Sequence, residues 1–452
     1  MLPEPKRHSV RVWQVPAAIF ADIEPFNMQK RTRHFRQCFL TLWLGAVSLA
    51  GADDFQGATH MVPFDEGSSR YSLIQEDSAV SRVQAKMDRG EIRLSFDDQR
   101  GYLPAVMKEL KVSATSQMLV FSKTSLQRER ISPRTPRAVF FNDDVYLGFN
   151  PSSPKLEISV ADPALGGIFY TLEQTEVDRP RFVRTDQCLE CHASAKSMGV
   201  PGHLVRSSIS DELGTVDLKE SLSQVTQRTP FEERWGGWYV TGLHGDIRHR
   251  GNLVDPTAFA KNARTPNYLG NLTNLNRFFA VEDYPSRTSD IVALMVLEHQ
   301  THLHNMITRL HYETTLMLKQ YGHVNYLRNQ VEAFLRYGLF TEEAPITSTI
   351  TGSPEFARYF EGLGPTDGRG RSLRQFDLKT RLFKYPCSFL IYSDAFDALP
   401  GPIKEKIYHR LWDILSGLDT TDDFKVLTPE KRRAVLEILV ATKKGLPDYW
   451  KL

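Results

Sequence analysis

The chain has 452 residues, a formal net charge of +2, and 41% hydrophobic and 24% charged residues. So even a balance offers no basic surface for nucleic acid or an acidic membrane, and four cysteines over this length exclude a disulfide-stapled scaffold. About fifty N-terminal residues read as a targeting region, which leaves enough chain for two domains, or three, of ordinary size.

From Met28 the sequence has the pattern of a secretory signal. Lys30, Arg31, Arg33 and Arg36 form the basic part, residues 39–50 are apolar, and Ala50-Gly51-Ala52 offers a small-x-small cleavage site. Residues 1–27 show no clear pattern and are expected to precede the true start. Residues 28–52 are then the signal peptide, with a signal anchor as the alternative, and the mature chain starts near Asp53. It is expected to be exported, in the periplasm, and without a stable membrane span. The longest later apolar stretch, 291–297, is interrupted by Glu298 and His299.

Residues 53–287 are expected to form a β-rich domain. Segments 138–141 and 145–149 flank Asn142-Asp143-Asp144 as a hairpin. Strands at 156–160 and 168–172 follow, separated by Asp162-Pro163 and Gly166-Gly167, and 203–209 and 238–241 also have strand character. Between them lies Cys188-Leu189-Glu190-Cys191-His192. Covalent haem attachment needs this spacing: each thiol reaches one vinyl group, and the next residue's imidazole falls under the iron. One covalent haem c is therefore expected on Cys188 and Cys191, with His192 as the proximal ligand. A zinc half-site, a redox dithiol and two buried structural cysteines are the alternatives. Zinc would need two more ligands, and the nearest pair, His244 and His249, lies more than fifty residues on. Of the other cysteines, Cys38 leaves with the signal, and Cys387 reads as a small buried hydrophobe.

Residues 288–452 are expected to form a mainly helical domain. Thr288-Ser289-Asp290 starts a helix that runs to Tyr321 with Gly322 as its stop. Further helices are expected over 372–383, 403–415 and 429–443, the last capped by Thr428 and opened by Pro429. Residues 362–370 are a loop or hinge.

For the iron's other axial position the chain has no methionine between Met198 and Met295, so a distant Met ligand is disfavoured. The histidine candidates are His299, His302, His244, His249 and His203. At 100° per residue His299 and His302 project into the apolar stripe of the long helix, whereas His304 and His311 project to the opposite side. A core histidine bonded to a neighbouring polar group is the plain alternative for each. Arg184 and Arg206 bracket the attachment loop and are the candidates to pair with haem propionates.

Asn142-Asp143-Asp144-Val145-Tyr146, Cys188 to Ser194 with Gly199-Val200-Pro201-Gly202-His203, Gly237-Trp238-Tyr239-Val240-Thr241-Gly242, and Asp377-Leu378-Lys379-Thr380-Arg381 with Tyr385-Pro386-Cys387 together resemble a group of large exported bacterial proteins that carry one c-type haem. The resemblance covers most of the mature chain. It implies haem binding and periplasmic electron transfer with a redox partner protein, and it carries no substrate with it. The strand-rich setting is also similar to haem-bearing PAS-like sensor modules, from which the helical C-terminal half departs; a β-rich domain followed by a helical one makes the expected fold class α+β. Three functions follow from such a site: an electron carrier; a haem enzyme of peroxidase or small-oxyanion reductase type, with His244, Arg248 and His249 as acid-base and charge-stabilising candidates; and a haem-based redox or gas sensor.

Overall fold

Alternation of apolar residues organises the molecule around one antiparallel sheet. The computed structural model describes residues 62–66, 71–216, 223–254, 257–258 and 270–451, so the expected signal segment lies outside the described residues. Strands β1 (Met118–Val120), β2 (Arg137–Phe141), β3 (Val145–Phe149), β4 (Lys155–Asp162), β5 (Gly166–Glu173) and β6 (Val183–Arg184) are joined by β9 (Trp238–Tyr239) in the order β6-β5-β4-β3-β2-β1-β9. A small pair, β7 (Arg206–Ser207) with β8 (Ser223–Gln224), stands apart. The architecture is α+β, as the pattern predicts.

The turns follow from side-chain chemistry. Asn142 Oδ1 accepts from the Asp144 and Val145 amides at 3.1 and 2.9 Å and closes the β2–β3 hairpin. Asp162 Oδ1 does the same for Ala164 and Leu165, and Gly166 follows at φ +78°. Both hairpins fall where the sequence places them.

Each sheet face packs differently. Leu119, Ala138, Phe140, Leu147, Ile158, Ile168 and Tyr170 face α1 (Ala79–Asp88) and α2 (Leu103–Glu109) in one apolar cluster. Met118, Val120, Val139, Phe141, Tyr146 and Trp238 belong to a second cluster with the C-terminal helices. That cluster runs unbroken from strand residues to Leu439 and Trp450.

After the short α3 (Leu189–His192), helix α4 (Ile291–Tyr321) is the spine of the second cluster. Asp290 caps it through the Ala293 amide, and Gly322, at φ +71°, ends it. Every residue from 291 to 310 is buried. His304 is therefore buried as well, against the projection that sends it to the other side of the helix. The sheet covers one flank of α4 and the later helices cover the rest, so no solvent face remains along this stretch.

Around α4 pack α5 (Arg328–Gly338), α6 (Pro354–Glu361), α7 (Asp394–Asp397), α8 (Gly401–Ser416) and α9 (Pro429–Thr442). The last two match the expected helices. The helix expected over 372–383 is absent: Asp377 Oδ1 accepts from the Lys379 and Thr380 amides, and Phe376 bridges Phe383 as a hairpin. The aspartate offers the backbone a turn in place of helical bonds, and the two rings stack at 5.5 Å. Of the strand expected over 203–209, only Arg206–Ser207 pairs. No described helix is long and apolar enough to cross a membrane.

Candidate functional site

The pentad forms the single turn α3. The His192 amide donates to Cys188 O at 2.9 Å, which places Cys188, Cys191 and His192 on successive positions of one turn. Cys191 is exposed, Cys188 is half-buried, and both are free thiols. Burial, followed by the field of Glu157, pushes the Cys188 thiol up to about 11.

His192 is held by two reciprocal bonds to Gly202. Gly202 N–H donates to His192 O at 2.8 Å, and His192 Nδ1–H donates to Gly202 O at 2.9 Å. With Nδ1 carrying the proton, Nε2 presents its lone pair, and it makes no hydrogen bond among the described residues. Burial lowers the imidazole to about 4, with Arg137 and Arg206 adding to the effect against the Gly202 bond, so the ring is neutral at ordinary pH. Phe169 from β5 flanks it at 4.9 Å between ring centres.

The loop after the turn is fastened from two sides. Ser197 Oγ accepts from the Ser194 amide at 3.0 Å, and its one hydroxyl proton is within reach of the carbonyls of His192, Ser194 and Val200. From α4, Asn305 accepts from His203 N–H at 2.9 Å and donates to His203 O at 2.8 Å, while Arg309 donates to Met198 O at 2.9 Å. A Cβ on Gly202 would stand 2.1 Å from Asn305 Oδ1, so a side chain there would displace the Asn305 amide that holds His203.

Of the histidine candidates, His203 lies nearest the pentad, with its ring on the same Phe169 as His192 at 5.8 Å between centres, and the others sit elsewhere. His203 lies against Tyr146 at 4.2 Å between ring centres, tilted by 32°, and meets Ser159 Oγ through Nε2 at 3.0 Å. His299 Nδ1 bonds Gln227 Oε1 and its Nε2 bonds Ser388 Oγ, within an aromatic surround that includes Phe340, Phe383 and Phe389. His302 Nδ1 meets Gln224 Nε2, and His304 Nδ1 meets the Tyr146 hydroxyl. His244 and His249 meet each other, Nε2 to Nε2, at 3.2 Å beside Trp235. Among the described residues no three His, Cys, Asp or Glu side chains converge as a metal-holding group.

The two arginine candidates also differ in placement. Arg184 pairs across the sheet with Tyr170, on the opposite face from Phe169. There it bonds Glu76 at 2.8 Å and covers the Tyr71 ring. Arg206 remains near His192, and its Nε is buried without a hydrogen-bond partner.

The motif does not mark three residues that the sheet brings to this place. Arg137 and Glu157 form a half-buried ion pair at 3.2 Å, and both act on Cys188 and His192. The pair lies across Gly148, where a Cβ would meet Arg137 Nε at 2.7 Å and Glu157 Oε2 at 3.0 Å. The only sequence signal is the polar alternation Lys155, Glu157, Ser159 along β4.

Buried neutral histidines make the fold sensitive to acid. Burial lowers His302 and His304 to about 3, while their unfolded counterparts titrate near the usual value. Between the two values the unfolded chain binds the extra proton, so each histidine's contribution is lost as pH falls below about 6.5, at about 1.4 kcal/mol per pH unit. Asp144 and Glu343, raised to about 7 by burial, act in the opposite sense. The informative quantity is therefore a difference: urea midpoints of His302→Gln and His304→Gln should fall less between pH 7 and 5 than those of the parent. Parallel slopes would contradict this.

No family model, curated protein or solved structure matches this chain.

Proposed function

We propose that this chain is an exported c-type cytochrome that exchanges single electrons with a periplasmic partner protein. Cys188 and Cys191 would hold one haem through their sulfurs, and His192 would ligate its iron through Nε2. The observation that carries the reading is the Nδ1–Gly202 bond, which fixes the ligating tautomer on the same turn as two free thiols. A haem held there supplies a one-electron Fe(III)/Fe(II) couple. Cys191 is exposed, so a haem attached there would have an edge within reach of a partner.

Export of the chain together with haem-maturation machinery, followed by the reduced pyridine spectrum, tests this reading. A two-thioether haem at one per chain is expected. A colourless protein, or haem removed by acid-acetone, would overturn it. The haem enzyme or sensor is the second reading, favoured by the bonds that occupy both ring nitrogens of His299.

A further inference from the structure

We infer that Asn305 sets how strongly His192 donates through Nε2, acting through the single peptide group that joins Gly202 to His203. The inference rests on the haem reading above and deepens it, since it names the residue of the helical half that tunes the proposed ligand.

That peptide group is engaged at both ends. Its carbonyl, Gly202 O, accepts from His192 Nδ1–H at 2.9 Å, and its amide, His203 N–H, donates to Asn305 Oδ1 at 2.9 Å. Asn305 Oδ1, the His203 amide, the Gly202 carbonyl and His192 Nδ1–H therefore form one unbroken file with the peptide resonance in its middle. An acceptor on the amide proton shifts electron density onto Gly202 O, and a richer carbonyl draws the Nδ1 proton harder. Hydrogen bonds in such a file polarise one another, more so away from water, and Asn305 is 0% exposed. An imidazole whose Nδ1–H is held harder is a stronger donor at Nε2.

The atoms allow only one sense of the file. A carbonyl can only accept, so Nδ1 carries the proton. His203 O accepts from Asn305 Nδ2 at 2.8 Å, so it is the carboxamide oxygen that faces the His203 amide.

The peptide group is also kept from swinging away. Gly202 N–H returns to His192 O at 2.8 Å. The His203 ring lies against Tyr146 and meets Ser159 Oγ, and Tyr146 is held in turn by Gln300 and His304 of the same helix as Asn305. Glycine at 202 leaves the carboxamide its room: a Cβ there would meet Asn305 Oδ1 at 2.1 Å and Cγ at 2.8 Å.

Two measurements test the relay, one without haem and one with it. In the haem-free chain labelled with 15N-histidine, the His192 signal is assigned by its loss in His192→Gln. Its Nδ1 proton should stand downfield in the parent and move upfield in Asn305→Leu, which is close to asparagine in size and offers no acceptor. In the haem-loaded protein a weaker imidazole donor favours Fe(II), so Asn305→Leu should raise the reduction potential. Loss of an outer partner of a ligating histidine is worth about tenfold at the low end, which for one electron is about 59 mV. Gly202→Ala, which pushes the carboxamide aside and leaves Asn305 in the chain, should move both readouts the same way. Asn305→Asp, which keeps an oxygen opposite His203 N–H, should hold both at the parent's values or move them in the opposite sense. Lys319→Gln, on the exposed end of α4, should match the parent. An unchanged proton shift and potential in Asn305→Leu would overturn the inference and leave the haem reading standing. Equal displacement by Asn305→Leu and Asn305→Asp would also overturn it, because Asn305 would then do no more than hold the loop. A parent without covalent haem would overturn the haem reading, and the proton shift in the haem-free chain would then decide the relay by itself.

Discussion

Replacing Cys188 and Cys191 together by alanine is expected to abolish covalent haem altogether, read as loss of the haem-stained band on a denaturing gel. On the proposed reading each sulfur would supply one bond that survives denaturation, so each single variant should keep a fainter band and the double variant none. The change should be chemical rather than structural. Cys191 is exposed and Cys188 half-buried, so the unfolding free energy of the haem-free chain should move by less than about 1 kcal/mol. Cys387→Ala is the control: that thiol is buried in the C-terminal core and should leave the band unchanged. Retention of full staining by the double variant would refute attachment at this turn.

Glu298→Ala should produce the largest loss of stability from a single substitution. Glu298 lies fully inside the helical core, paired with Arg234 and accepting from Trp235 Nε1 at 3.2 Å. Removing it leaves a buried guanidinium whose other bonds, to Thr229 O at 2.7 Å and Gln227 O at 2.9 Å, carry no neutralising charge. Breaking one side of such a pair costs about 3–5 kcal/mol. Urea unfolding at pH 8, above the value of about 7 to which burial raises the Glu298 carboxyl, should show this, whereas Arg234→Met combined with Glu298→Met should recover most of it, because the uncompensated charge is gone. If the single and double variants lose equal stability, the charge argument fails and only packing remains.

Much of this architecture is legible locally. The hairpin at Asn142, the Asp290 cap, the Gly322 stop and the Thr428-Pro429 start are each decided by one or two side chains acting on adjacent backbone. Local signals mislead where two of them compete: the apolar spacing over 372–383 suits a helix, but Asp377 closes a turn first. Helices α1, α2, α5 and α6 escape the sequence reading. The pentad is legible because its five residues are contiguous and close one turn. Arg137, Gly148 and Glu157 are not, since strand register alone sets Gly148 opposite Glu157 and brings them to the same turn. A helical projection assigns His304 to the wrong environment because it assumes one apolar side, and α4 has cover on every side.

The bonds from Asn305 to His203 span 102 positions in the chain. While the polypeptide emerges from its N-terminus, β1 to β5 can pair, and the two thiols can be displayed, well before the residue that ties down the loop behind them has been made. The loop thus has a period, set by the time needed to synthesise or export about a hundred residues, in which Gly202 and His203 lack their grip from α4. Docking of the spine ends that period, and the imidazole then keeps the orientation it has in the finished molecule.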